Sequence, residues 1–280
     1  MKLIPGDAAE AMVALDGTPE DVERMRRVLG LDQPVYVQYG RFVQRVVQLD
    51  LGDSNVTRRP VTQEIRSRLG PTAELAAAAF VLAITVGLTA GIVAAIFRYT
   101  IWDSLATIWA VIGVSMPIFW LGLMLMMIFS VWLGVLPATG AGSFRQLILP
   151  AITLGSVSTA IIARQTRSSM VEVMGRDYIR TARAKGVAEY QVVLRHALKN
   201  AMIPTVTVAG LQIGYLLGGS VLTETVFARP GLGSMLVDSI RARDIPMVQG
   251  TILFLAVVFV LVNLIVDIVY VKLDPRISYD

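Results

Sequence analysis

Five stretches of this chain contain no Asp, Glu, Lys or Arg: residues 75–97, 104–144, 146–163, 200–223 and 245–266. A helix that crosses a bilayer needs about 20 mainly apolar residues, so each run is a candidate span. None alternates with the two-residue period of a barrel strand, and helices are therefore the spanning element. The run 104–144 is long enough for one helix kinked at Pro117, followed by an exit loop at Pro137, Gly140 and Gly142. With 55% hydrophobic and 16% charged residues, the chain could not cover a soluble globule with polar surface. The expected fold is all-α, a polytopic transmembrane helix bundle.

The side-chain inventory excludes much chemistry. There is no cysteine, and His196 is the single histidine, which removes disulfides, thiol chemistry and Cys/His zinc sites. No metal site or cofactor is expected, and His196 reads as a helix-surface residue. An intramembrane enzyme would need convergent carboxylates, His or Ser/Lys pairs at membrane depth. The spans offer only Asn263, Gln212 and scattered hydroxyls. A channel would need a charged filter ring, which is also missing. The net charge of +4 belongs with cytoplasmic loops beside anionic lipid rather than with nucleic acid.

Lys and Arg stay inside, and the segment 164–200 holds Arg164, Arg167, Arg176, Arg180, Arg183, Lys185, Arg195 and Lys199 against Glu172, Asp177 and Glu189. It is expected to be cytoplasmic. The segment 223–246 is balanced, with Arg229, Arg241 and Arg243 against Glu224, Asp238 and Asp244, and suits the outer face. The carboxyl terminus, with Lys272 and Arg276, then falls inside. Five spans leave residues 1–72 outside as a separate module ahead of a transmembrane domain, 73–280. That module has equal numbers of basic and acidic residues and no apolar run to carry it across a membrane. A first spanning helix is therefore expected to be missing, through a late-assigned start codon or truncation. Within the module, Thr18-Pro19-Glu20-Asp21 reads as a helix start and Gly30 as its stop, 34–49 as an amphipathic helix, and 61–69 as a short helix before Gly70-Pro71.

The basic segment has internal structure. Residues 178–185 favour helix, Gly186 can take the left-handed conformation that ends one, and 188–199 favour helix again. The product is a helix–turn–helix knuckle. Arg176, Arg180 and Arg183 share one face, and Ala182 and Ala184 are small enough for a partner to approach the backbone.

The run RTARAKGVAEYQVVLRHALKNAMIP at 180–204 resembles the "EAA" loop of ABC-importer permeases, in the dipeptide, oligopeptide and nickel branch. Arg180-Thr181-Ala182 stands at the name-giving triplet and Gly186 at the motif glycine. His196-Ala197-Leu198-Lys199 replaces the general Ile-x-Leu-Pro ending, a departure that looks like the peptide-type branch. The stretch TETVFARPGLGSMLVDSIRARDIPMVQG at 223–250 is similar to the outer loop before that branch's last span. LGLDQPVYVQY at 29–39 and DLGDS at 50–54 are similar to its first outer loop, with Leu49 where the usual Gly-Asp-Leu-Gly begins. LIPGD at 3–7 resembles the residues that follow the first span there. Six spans are usual in the family.

The resemblance implies the first of two permease subunits in the bacterial inner membrane, importing di- or oligopeptides delivered by an extracytoplasmic binding protein. Nickel, glutathione or a sugar are the alternative cargoes. It also implies two ATPase subunits and a second permease, a heterodimer. The chain has no GxxxxGK[ST] motif, so it is not the ATPase. ATPase coupling falls to Arg180, Thr181, Ala182, Arg183, Ala184, Lys185, Gly186 and Glu189, with Arg180, Arg183 and Glu189 orienting the dock by charge. Gly210, Gln212, Gly214, Gly218 and Asn263 are candidates for packing or for lining the pathway. Glu224, Arg229, Pro230 and Gly231 are candidates for an outer gate or a binding-protein contact, with Glu224 and Arg229 at the outer mouth.

Overall fold

The computed structural model describes residues 8–13, 18–28 and 30–273. The motif at 3–7, Leu29 and Arg276 lie outside them. The described residues form no named strand, only an isolated antiparallel bridge between Asp53 and Pro60. The helices are α1 (Ala8–Val13), α2 (Pro19–Val28), α3 (Val35–Val47), α4 (Val61–Ile96), α5 (Ile101–Ser115), α6 (Ile118–Met126), α7 (Phe144–Met174), α8 (Asp177–Ala184), α9 (Glu189–Gln191), α10 (Leu198–Val226), α11 (Leu232–Arg241) and α12 (Ile245–Leu273). Two π-helical segments continue α6 (Met127–Trp132) and α9 (Val192–Ala197).

Among the described residues, four helices are long and apolar enough to cross a membrane, or five if a bent pair counts as one span. That pair corrects the expectation of one kinked helix over the run 104–144. The break falls at Met116-Pro117 and turns the chain by 108°. Proline has no N–H and pushes its predecessor out of the helical region, and Met116 sits at φ −83 and ψ 132. Each arm is 15 residues, roughly 22 Å at 1.5 Å per residue, against a hydrocarbon core of about 30 Å. The exit loop is where it was expected, with Gly134, Gly140 and Gly142 all at positive φ.

A second correction concerns Gly70-Pro71, which does not end a helix; α4 runs straight through it. Proline removes only the bond to the carbonyl four residues back, a loss that spanning helices tolerate when their flanks are held by packing. Further along, α7 continues to Met174 rather than stopping near residue 163, which places Arg164 and Arg167 inside the helix.

The chain divides into two compact units: Met1–Pro71 with Pro230–Val257, and Thr72–Arg229 with Val258–Asp280. In the first, α2 begins as its sequence requires. The Asp21 N–H donates to the Thr18 hydroxyl at 3.3 Å, and the Thr18 N–H and hydroxyl donate back to the Asp21 carboxylate at 3.2 and 2.7 Å. Those bonds hold the Asp21 carboxyl below its usual range. The cap is therefore complete above the ordinary carboxylate range and weakens as pH falls toward the lowered folded value. Gly30 stops α2 at φ +66.

The core of this unit joins Val61 and Ile65 to Leu232, Met235 and Met247. Beside it, Asp244 is 2% exposed and accepts from the Ser54 hydroxyl at 2.5 Å and the Asn55 N–H at 3.1 Å. Leu49, standing where a glycine is usual, adopts φ 60 while 84% exposed. A non-glycine residue pays about 1–2 kcal/mol for that region. Leu49→Gly is expected to raise stability by about 1 kcal/mol, read as a higher unfolding midpoint, because an exposed side chain loses little packing on removal.

The second unit is a helix bundle around α7, whose buried residues include Leu149, Leu154, Ile162 and Met170. α7 starts with a capping box between Ser143 and Gln146. It meets α4 at very close range. A Cβ added to Gly87 would lie 2.9 Å from Ile162 Cγ2, one on Gly91 would lie 2.6 Å from the Ala163 carbonyl oxygen, and one on Gly155 would lie 2.9 Å from the Ala79 carbonyl oxygen.

Candidate functional site: a knuckle rooted in the bundle

The knuckle between α7 and α10 is built on an apolar root. Ile179 of α8 and Val192, Val193 and Ala197 of the following turns are buried together with Met170, Ala201 and Ala95. α8 ends at Gly186, whose φ of +78 lets the chain reverse, and the N–H groups of Gly186 and Val187 return to the carbonyls of Arg183 and Ala182 at 2.9 and 3.3 Å. The second arm is expected as α-helix over 188–199 but contains the π segment. A π-helix brings residues i and i+5 close to one face, and Val192 and Ala197 share the root in this way.

The root orients the outer surface. Arg180, Thr181, Arg183, Ala184, Lys185 and Gly186 are exposed, whereas Ala182 is half-buried against the root. Ala184 therefore remains the small residue open to a partner, and Ala182 serves internal packing. Arg183 forks onto Glu189 with bonds of 3.0 and 2.6 Å, closing the turn, and this pairing raises the guanidinium pKa. Both groups are largely exposed, so the pair contributes at most about 1 kcal/mol. Arg176 pairs with Glu172, and Arg180 lies 3.7 Å from Asp177. His196 is half-exposed on the second arm. No cluster of His, Asp and Glu suited to a metal exists among the described residues.

The glycine stripe of α10 divides. Gly210 and Gly214 face α12, where a Cβ would lie 2.4 Å from Val266 and 2.7 Å from Phe259, with the Asn263 amide oxygen 3.4 Å from the second position. Gly218 meets nothing within 4 Å and shares an exposed face with Leu211, Tyr215 and Leu222. Gln212 accepts a hydrogen bond from the Ser158 hydroxyl of α7 at 3.0 Å.

The outer residues correct the sequence reading more sharply. Glu224 and Arg229, candidates for an outer gate or a binding-protein contact, are 0% and 1% exposed. α10 continues to Val226, carrying Glu224 to the Thr72 hydroxyl, which donates to it at 2.7 Å; Arg229 donates to Glu74 at 2.9 Å. A buried charged group needs hydrogen-bond partners, and each of these has at least one. In the other unit, Gly231 is the buried N-cap of α11, its N–H bonded to the Ser234 hydroxyl at 3.1 Å, while Pro230 is exposed. Sequence reasoning missed one interior pair. Arg167 forks onto Asp103 at 2.5 and 2.8 Å, tying α5 to α7. Asp103, a lone acid just before an uncharged run, was the available signal.

A bundle of spanning helices carrying a rooted, basic, protruding knuckle is matched by known proteins over nearly its whole length. Residues 87–279 match the model of the binding-protein-dependent transport system inner membrane component, and residues 1–76 match that of the N-terminal part of such membrane components. The chain belongs to this family. It is a multi-pass membrane permease subunit of an ABC importer, and membership implies ATPase and binding-protein partners. The match over 1–76 makes the segment ahead of the first span a recognised part of the family and lends nothing to the expectation of a missing helix.

The chain is 49% identical to the glutathione transport system permease protein GsiC of Escherichia coli O6:H1, over 99% of this chain and 90% of that protein. It is 48% identical, over the same shares, to the GsiC of Salmonella paratyphi A. Among solved structures, an inward-facing conformation of the MetNI methionine ABC transporter shares the fold with a TM-score of 0.63 at 19% identity, over 76% of this chain and 97% of that one. An amino acid ABC transporter crystallised with histidines gives 0.58 at 15% identity, over 77% and 95%.

Proposed function

We propose that this chain is a non-catalytic permease subunit that imports glutathione or a peptide of that size, its knuckle taking the push from a separate ATPase. The observation that carries the mechanism is the apolar root. A loop hinged freely would absorb a displacement, whereas Ile179 of α8 is buried in one apolar cluster with residues of α4, α7 and α10. Movement of the exposed surface of Arg180, Thr181, Ala184 and Lys185 therefore passes to three helices at once. Residues 164–200 and the carboxyl terminus face the cytoplasm on this reading, as their basic residues favour.

The pathway forms against a second permease, for which the exposed α10 face of Leu211, Tyr215, Gly218 and Leu222 is the best candidate surface: Gly218 permits close approach, as small residues do between spanning helices. The kinship with glutathione permeases favours glutathione, itself a tripeptide, over the broad di- and oligopeptide class and over nickel or sugars. The check is ATP-dependent uptake of labelled glutathione by the complete transporter in proteoliposomes. Saturable uptake that unlabelled glutathione displaces at least about tenfold better than nickel or a sugar is expected, a margin of about 1.4 kcal/mol. Uptake of longer peptides with no displacement by glutathione would overturn the substrate assignment.

A further inference from the structure

α4, α10 and α12 enclose a cavity of about 340 Å³ inside the second unit. Its walls include Ile84 and Leu88 of α4, Val206 and Ile213 of α10, and Ile265 and Val266 of α12. Two threonines of α10 also line it, but their hydroxyls are turned into their own helix, Thr205 donating to the Ala201 carbonyl at 3.0 Å and Thr207 to the Ile203 carbonyl at 3.2 Å. They present methyl groups, and the lining is apolar throughout. Water in such a space would find too few partners to stay.

Three observations identify the occupant. Along α10 the lining runs from Met202 to Ile213, about 17 Å of helix, which matches the depth of one leaflet's hydrocarbon, about 15 Å. Ile265 on its wall is 60% exposed, so the cavity is open toward the surroundings of the bundle. One turn before Met202, Lys199 is exposed and enters no ion pair among the described residues. Lys199, Met202, Val206, Gly210 and Ile213 follow one another at steps of three and four residues, which places them on one helix face. Helical side chains lean toward the N-terminus, so the Lys199 ammonium rises above the cavity toward the interface. No acidic residue lies between 190 and 223 to compete for it. Asp267 follows the lining on α12 but lies roughly 150° round that helix from the midpoint of Ile265 and Val266.

We infer that this cavity is a binding site for one anionic phospholipid, an acyl chain lying between α4, α10 and α12 and the headgroup phosphate held by Lys199. The apolar part gives no selectivity, since lipid tails are as apolar as the lining. The ammonium–phosphate pair supplies it, as basic groups beside a spanning helix do for acidic lipids. The site goes beyond the transport reading and depends on the cytoplasmic placement of residues 164–200 only for which leaflet supplies the lipid.

The test uses the complete transporter, stripped of lipid and returned to nanodiscs of phosphatidylcholine containing a small fraction of phosphatidylglycerol bearing a photoactivatable diazirine on its acyl chain. Cross-linking to the peptide carrying residues 202–213 is expected. Lys199→Gln should lower it at least about fivefold, and Val206→Trp, which fills the cavity, should abolish it, while the matching phosphatidylcholine probe labels this peptide weakly and is unaffected by Lys199→Gln. Equal labelling by the two lipids, phosphatidylglycerol labelling untouched by Lys199→Gln, or a cross-link from a photoprobe at position 206 to the partner permease in place of lipid would each overturn the assignment. Because the readout is lipid attachment and not uptake, a failed substrate assignment leaves it intact.

Discussion

Replacing Gly91 by leucine should leave almost no assembled permease, and even Gly91→Ala should weaken the bundle by about 1–3 kcal/mol, roughly a fivefold to hundredfold fall in the folded-to-unfolded ratio. The reason is local and steric. A Cβ at residue 91 would stand 2.6 Å from both the Ala163 carbonyl oxygen and Thr166 Cβ. Neither can swing aside: the first is backbone, and Thr166 is fully buried with its hydroxyl bonded to the Ile162 carbonyl. The two helices must separate, and the same crossing holds Gly87 and Gly155, so separation loses contact along its length. In a bilayer no hydrophobic force draws the helices back together, which makes close packing the main attraction. Gly40→Ala in α3 is the control, since nothing lies within 4 Å of that position, its φ is not positive and no proline follows it. There alanine should stabilise α3 by roughly 0.5–1 kcal/mol. Monodisperse yield in detergent and the midpoint of denaturant unfolding separate the cases; a Gly91→Leu protein with wild-type yield would refute the packing.

Periodicity and charge made the helical class, the start of α2, the exit loop and the turn at Gly186 legible, because each depends on residues close in sequence. What stayed hidden depends on partners far away in the chain. Gly87 and Gly91 are a common spacing, and nothing local says that α7 comes within contact of their backbone. Glu224 and Arg229 look like solvent-facing charges beside a loop; their burial follows from Thr72 and Glu74, more than 150 residues earlier. Arg167 counted as a loop residue because the apolar run ended before it, although the helix did not. Charge marks where a span leaves hydrocarbon, whereas hydrogen bonding decides where a helix ends, and the two differ by several residues in α7.

The knuckle yields the second large effect, and it takes two variants to read. Ala184 is exposed, so Ala184→Glu should change the stability of the permease by no more than about 0.5 kcal/mol. If this surface docks into an ATPase, the new carboxylate enters a contact without a partner, and an uncompensated buried charge costs about 3–5 kcal/mol. ATPase co-purification and ATP-dependent uptake should both fall more than about a hundredfold. Ile179→Ala acts from the other side. It empties part of the buried root, at a cost of about 2–5 kcal/mol in stability, while leaving the exposed residues chemically unchanged. The ATPase should still associate, but its push would be taken up by a loosened hinge, so uptake per ATP hydrolysed should drop several-fold at temperatures where the protein remains folded. Surface and root are thus separable by association against efficiency. Loss of association in Ile179→Ala with normal association in Ala184→Glu would reverse the assignment of the two faces, and normal uptake in both would remove the knuckle from the mechanism.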